Sequence, residues 1–453
     1  MLRRIKFGRQ RRTQASCAVT AVGTKHFTEV LMAPMIRRIS TCPVLAILIF
    51  TLILPGCSFY RIKQDARQIE QTIEIRGEVR GVSGDDPVGI ILLKEQSGKK
   101  KVWAYFIRYG DGPFRFITSA GPCYVFAFQD QNEDRQYNPG EPAAWHGGET
   151  PRKVDVSKGG NIDIAIRLST NIPAQSELFS RPKDQTADPL KIGHVRINRG
   201  EITTLDDNRF SPEKGRQGLL EPIQSAISDG IGLFFLEPYD PLKVPVLFVH
   251  GAGGCPRDFT ELISKLDRAK FQPWVYLYPS GFRLGMPGQE LSQALTELHM
   301  KYKFRHLAVI AHSMGGLVAR SAVNQMKGGI LENPLRLFVS LSTPWDGVTS
   351  AETGLEYSPV VIPAWIDIAP SSRFIKNLFA RPLPSTVTYY LIFGVVGGNG
   401  TDGSVPLVSA ISLRAQADAE RIYGFPEDHM SILSSPAVID RVNKLLNQGA
   451  WPN

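Results

Sequence analysis

Ser313 lies in Ala311-His312-Ser313-Met314-Gly315-Gly316, between a strand-like apolar run at 307–310 and a helical pattern at 317–325. A serine among small residues at a strand-to-helix turn has a strained backbone and an exposed hydroxyl, the setting of a nucleophile. Such a hydroxyl needs a base, and the base needs an acid to orient it. In this setting the acid and then a histidine follow the serine in chain order. One histidine follows Ser313, namely His429 in Glu427-Asp428-His429-Met430-Ser431. Two acids compete. Asp402, in Gly400-Thr401-Asp402-Gly403-Ser404-Val405-Pro406, comes after the strand-like 387–393; Asp346, in Ser342-Thr343-Pro344-Trp345-Asp346-Gly347, comes one strand earlier. The position of Asp402 favours it. Asp428 reads as a solvated neighbour of the histidine. His250-Gly251-Ala252-Gly253-Gly254 follows an earlier strand. The backbone N–H groups of Ala252 and Met314 are therefore the expected donors to a developing oxyanion. His312 and His250 read as packing and bracing residues.

Positioning such residues requires strand ends. From residue 244 onward, buried strands (246–250, 274–278, 307–311, 335–341, 387–393) alternate with amphipathic helices. Phe259, Leu262, Ile263 and Leu266 make one helical face, and Leu291, Leu295, Leu298 and Tyr302 another. This rhythm implies an α/β domain over 241–453, a mostly parallel sheet covered by helices. Residues 72–168 instead carry short β-rich runs separated by Gly, Pro and Asp turns, which predicts a small all-β sandwich within 58–170. Residues 171–240 read as a connector, with a short helix at 219–227 and a strand at 232–236.

Together, the segments AHSMGG, HGAGG, TPWDG, TDGSVP and EDHMSIL resemble the α/β-hydrolase family, in its lipase and esterase branch. The likeness covers about residues 241–446. It implies Ser313 as nucleophile, His429 as general base and then acid, and Asp402 as holder of the imidazole tautomer. It also implies an ester or lipid acyl substrate and no cofactor for the chemistry. Trp345, Trp365, Phe374, Ile375, Leu378 and Phe379 fall where lipases place a lid, though an ordinary surface helix explains them equally. Residues 75–81 and 121–127 of the sandwich resemble transthyretin-like or carboxypeptidase-regulatory-like domains.

The formal net charge of +9 belongs to the N-terminus, where residues 1–56 hold nine Lys/Arg and one acid. The remainder has 43 basic and 42 acidic residues, which excludes a broad nucleic-acid surface. Arg37 and Arg38 precede the apolar run 44–54, followed by Pro55, Gly56 and Cys57. That pattern is a secretory signal, too short for a comfortable transmembrane helix. Leu54-Pro55-Gly56-Cys57 resembles a bacterial lipobox, which implies lipidation at Cys57, a targeting segment over 1–57 and an exported protein anchored to a membrane. With two membranes, the same resemblance implies the outer one as the default, since Ser58 is not an acid. Met32 or Met35 are alternative starts. Cys123 and Cys255 fall in different domains and are not expected to pair. Asp130, Asn132, Asp134, Gln136, Asn138 and Glu141 occupy positions 1, 3, 5, 7, 9 and 12 of a loop. That spacing suits calcium, although Arg135 stands where glycine is usual, and a plain polar hairpin is the alternative. Acyl transfer by the same triad, a non-catalytic scaffold, and an adhesion role for the sandwich through Trp103 and Tyr105 are the competing functions.

Overall fold

A computed structural model describes residues 56–96, 98–154, 161–170, 190–192, 195–326, 329–398, 400–449 and 451. The apolar run 44–54 and the Cys57 side chain lie outside the described residues, so the targeting and lipidation readings stay with the sequence.

The described chain opens with helix α1 (Gly56–Glu70). Strands β1 (Ile73–Arg80), β2 (Pro87–Gln96), β3 (Lys99–Tyr109), β4 (Gly112–Thr118), β5 (Cys123–Gln129), β6 (Ala143–Trp145) and β7 (Asn161–Arg167) follow. They form two sheets, ordered β4-β1-β7 and β3-β2-β5-β6. Strand side chains alternate between faces, and here both faces of the larger sheet are used. Ile90, Leu92, Val125 and Ala127 join the core shared with β1, β4 and β7. Ile91, Leu93, Phe126 and Phe128 instead meet Tyr137 and Trp145 on the other side.

The second region is a nine-stranded sheet. Its strands are β8 (Leu190–Ile192), β9 (Val195–Ile202), β10 (Ile231–Phe235), β11 (Val244–Val249), β12 (Phe271–Leu277), β13 (Leu307–His312), β14 (Leu335–Leu341), β15 (Thr388–Gly394) and β16 (Arg421–Phe425). The spatial order is β16-β15-β14-β13-β11-β12-β10-β9-β8. Strands β11 to β16 are mutually parallel, and β10 runs antiparallel to β12. The central strands are buried on both faces, which is why they read as unbroken apolar runs. Helices α2 (Pro212–Leu220) and α3 (Pro222–Asp229) join β9 to β10, α4 (Gly285–Tyr302) precedes β13, and α5 (Met314–Met326) follows it. Helices α6 (Thr349–Tyr357), α7 (Pro363–Ile368) and α8 (Arg373–Leu378) fill the β14–β15 connection, and α9 (Pro436–Gln448) closes the chain. After β11 the chain goes to one side (β12) and then crosses to the other (β13). The loops leaving β11 and β13 therefore part, and they open a crevice at the carboxyl ends of the strands.

Two expected boundaries change. Within the expected 171–240 connector, β8, β9 and β10 are strands that complete the sheet. The expected strand at 232–236 is β10, while β8 and β9 escape a hydrophobicity reading because they lie at the edge. Arg199 of β9 is paired with Glu290 and Glu297 of α4, an ion-pair network where a core strand would carry an aliphatic side chain. Likewise, residues 58–70 are not sandwich. Phe59, Ile62 and Ala66 of α1 pack on Val360 and Leu220, and Ile69 packs on Ala226 and Phe282, all of the region that holds the nine-stranded sheet. The sandwich itself docks on α4. The Gln293 amide accepts from Ile107 N–H at 2.7 Å and donates to Ile107 C=O at 3.0 Å, and Arg115 donates to Gly285 C=O at 2.6 Å.

Candidate active site

Ser313 directly follows β13 with φ +53°, a left-handed conformation that residues other than glycine seldom adopt. The surroundings enforce it. Ser313 N–H donates to Leu341 C=O of the neighbouring strand at 2.8 Å. Gly315 passes so close to β11 that a Cβ there would come within 2.4 Å of the Val249 and His250 carbonyls. Small residues around Ser313 are thus a steric demand of the turn. Met314 opens α5, where the first N–H groups have no intrahelical acceptor and the helix dipole is positive. Gly251 lies directly against the nucleophile: a Cβ added to it would come within 2.8 Å of Ser313 Cβ. Gly251 therefore lies against the same side chain that precedes the first turn of α5.

The loops after β15 and β16 bring in the other two groups. His429 Nε2 is 2.9 Å from Ser313 Oγ, and His429 Nδ1 is 2.7 Å from Asp402 Oδ2. With Nδ1–H donated to the carboxylate, Nε2 presents its lone pair to the serine hydroxyl. Asp402 is 1% exposed. Its other oxygen, Oδ1, accepts N–H bonds from Ser404 at 2.9 Å and Val405 at 2.7 Å. Its own carbonyl accepts from His429 N–H at 2.9 Å. Burial pushes the Asp402 carboxyl up, but the His429 bond and the Val405 and Ser404 donors outweigh it and hold the pKa below the usual carboxylate value. The rival, Asp346, donates its backbone N–H to Ser409 Oγ, and both His429 ring nitrogens are taken by Asp402 and Ser313. Asp428 accepts from Met430 and Ser431 N–H and closes a turn at the surface.

The two histidines that adjoin the motifs brace the site. His312 is buried and donates Nε2–H to the His429 carbonyl at 2.8 Å, with the two rings 4.7 Å apart. Burial, with the neighbouring His429, pushes its pKa down to about 3, so it stays neutral beside the reacting imidazole. His250 donates Nδ1–H to Gly251 C=O and stacks on Tyr278, whose hydroxyl donates to His250 C=O at 2.7 Å. Sequence reasoning missed three further supports of the glycine-rich 251–254 loop. Ser280 Oγ accepts from Gly253 N–H at 2.8 Å. Gly215 and Leu219 of α2 pack against Gly253 and Gly254. The signal for the last two was a glycine-containing helix, P-E-K-G-R-Q-G-L-L, which propensity alone disfavours.

Other candidates fall outside this constellation. Trp345, Ile375 and Leu378 are buried in the main core, with Trp365, Phe374 and Phe379 packed against it. The insertion is pinned by Asp367, which accepts from the Arg283 guanidinium and Leu284 N–H. Asp130, Asn132, Asp134 and Glu141 share one sandwich loop, and each accepts backbone N–H bonds within it. Among the described residues no group of three or more His, Cys, Asp or Glu is arranged to hold a metal. Cys123 and Cys255 are free and buried. Trp103 packs against the sandwich core.

A family signature described as "Putative serine esterase (DUF676)" matches residues 281–376, which include the Ser313 turn. Over those residues the chain is similar to serine esterases, and carboxylic ester hydrolysis is the chemistry that signature describes. Solved structures similar to this α/β-hydrolase include the mature lipase BlEst2 of Bacillus licheniformis, at 20% identity over 47% of this chain and 97% of that chain, with a TM-score of 0.39. The lin2722 product of Listeria innocua follows at 17% identity, over 46% of this chain and 94% of that chain, with a TM-score of 0.38. Lipase B of Aspergillus fumigatus has 14% identity over 58% of this chain and 63% of that chain, with a TM-score of 0.38. No curated protein matches the sequence.

Proposed function

We propose that this chain is an exported, membrane-anchored hydrolase that cleaves carboxylic esters, lipid acyl esters among them, through an acyl-enzyme on Ser313. The observation that carries the reading is the continuous relay Asp402 Oδ2···His429···Ser313 Oγ, at 2.7 and 2.9 Å. Ser313 Oγ attacks the ester carbonyl carbon as its proton passes to His429 Nε2. Asp402 keeps the imidazole oriented and stabilises the imidazolium. Negative charge on the former carbonyl oxygen is taken by the Ala252 and Met314 N–H groups, reinforced by the α5 dipole. As the intermediate collapses, the ester C–O bond breaks and His429 returns the proton to the leaving alkoxide. Water then repeats the sequence on the acyl-enzyme and releases the acid. The anchoring part rests on the basic residues, the apolar run and Cys57.

Turnover of p-nitrophenyl esters from acetate to palmitate by the full chain, beside Ser313→Ala, tests this. The expected result is hydrolysis that falls by about 10⁵–10⁶-fold in the variant, with the acyl-length profile naming the preferred chain. Equal turnover by wild type and variant would refute the serine mechanism.

A further inference from the structure

Helix α1 has two unlike faces. Phe59, Ile62, Asp65, Ala66 and Ile69 point inward, at a spacing that makes one helical stripe. Asp65 is buried, and its Oδ2 accepts from Ile223 N–H at 2.8 Å and Gln224 N–H at 3.2 Å, so it caps α3. Burial raises the Asp65 pKa, opposed by those two N–H bonds. The outward face carries Arg61, Lys63 and Arg67, with Glu70 as its one acid at the far end, and Tyr60, which is 68% exposed. Tyr357, three residues before the α1 contact Val360, is 60% exposed.

The place where α1 docks is specific. Phe282 follows the carboxyl end of β12, and Val360 lies in the connection that leaves the carboxyl end of β14. Leu220 adjoins Leu219, which packs on the oxyanion-loop residue Gly253. Helix α1 therefore sits on the rim from which the Ser313 crevice opens. The sequence enters this helix directly from the apolar run 44–54, which ends two residues before Gly56.

We propose that the outward face of α1 lies on the anionic lipid surface to which the chain is anchored, and so holds the rim of the Ser313 site against that surface. This rests on the anchoring reading above. The chemistry is that of an interfacial helix: a tyrosine suits the headgroup zone, and each base near an anionic surface strengthens attachment by about five-fold. The same helix clamps the catalytic region through its apolar face and Asp65, so the orientation of the bilayer is passed to the crevice rigidly.

The test uses the full chain in phosphatidylcholine vesicles, with and without phosphatidylglycerol. Tyr60→Trp is read against the wild type with nitroxide-labelled lipid as quencher. The expected result is that the added tryptophan is quenched in the anionic vesicles. Quenching should be lost when Arg61, Lys63 and Arg67 are all replaced by Glu. That variant should hydrolyse a vesicle-embedded diacylglycerol ester at least about ten-fold more slowly, and p-nitrophenyl butyrate in detergent within about two-fold of wild type. The corresponding Gln variant should be intermediate, which separates charge from misfolding. An unquenched tryptophan in vesicles that have captured the chain would overturn the proposal, as would unchanged vesicle hydrolysis by the Glu variant. A chain that does not float with vesicles would overturn it together with the anchoring reading. Quenching without any ester hydrolysis would retire the catalytic reading and leave this surface standing.

Discussion

Asp130 in the sandwich and Asp402 in the catalytic region begin from the same local chemistry. Each is a buried carboxylate, 1% exposed, that closes a turn by accepting backbone N–H bonds from residues just ahead of it. Asp130 commits both oxygens, one to Asp134 and one to Arg135. Asp402 places both N–H donors on Oδ1 and leaves Oδ2 for His429. The outcome is opposite in sign. Burial dominates at Asp130 and raises its pKa, whereas at Asp402 the histidine and the two donors overcome burial and lower it. A turn carboxylate becomes a catalytic partner when one oxygen is left over and a proton-bearing ring is delivered to it. The delivery is topological, because β15 and β16 are adjacent and parallel, and their carboxyl-end loops meet.

Exchanging either carboxylate for a group that cannot play its part separates the two cases. The largest effect is expected for Asp402→Asn, with kcat down about 10⁴-fold because the amide favours the wrong imidazole tautomer. Steady-state kinetics on p-nitrophenyl butyrate reads this directly, and a loss below about ten-fold would place the orienting acid elsewhere, at Asp346 first.

A smaller effect separates the regions by pH. His312 stays neutral in the folded catalytic region down to about pH 3, whereas unfolded it would take up a proton below its ordinary 6.5. Protons therefore favour the unfolded chain. The stability His312 allows is complete above about pH 6.5 and falls as pH drops, by about 2 kcal/mol between 6.5 and 5. His299, pushed down to about 4 mainly by burial, acts in the same direction. Urea melts at the two pH values should show this slope, and His312→Gln should flatten it.

The smallest effect belongs to the sandwich. Asp130→Ala removes two acceptors from a turn and should cost about 1–2 kcal/mol of stability in the same melts. Esterase activity at 25 °C should stay within about two-fold.

The parts of this molecule that were legible in the sequence are those where one residue type is forced. Ser313 needs small neighbours for its turn, and only one histidine follows it. The parallel strands are buried on both faces and so are continuously apolar. Helix α1 was missed although Phe59, Ile62, Ala66 and Ile69 carry its stripe, because residues 58–70 were grouped with the β-rich sandwich that follows them. Strands β8 and β9 were missed because β9 puts Arg199 into a charged network instead of a core, whereas the apolar run of β10 was legible. The position of Asp402 in the chain already favoured it over Asp346, and loop packing is what brings it to the ring.

The Gln293 amide has a consequence beyond joining two regions. Strand β3 is at the edge of its sheet, and the free rung at Ile107 is filled by a side chain from α4. An open strand edge is a template on which other chains can add. Here that template is blocked at one rung by a surrogate amide contributed from nearly two hundred residues downstream. During synthesis the sandwich emerges first with this edge bare, so its protection from mispairing arrives only when α4 folds against it.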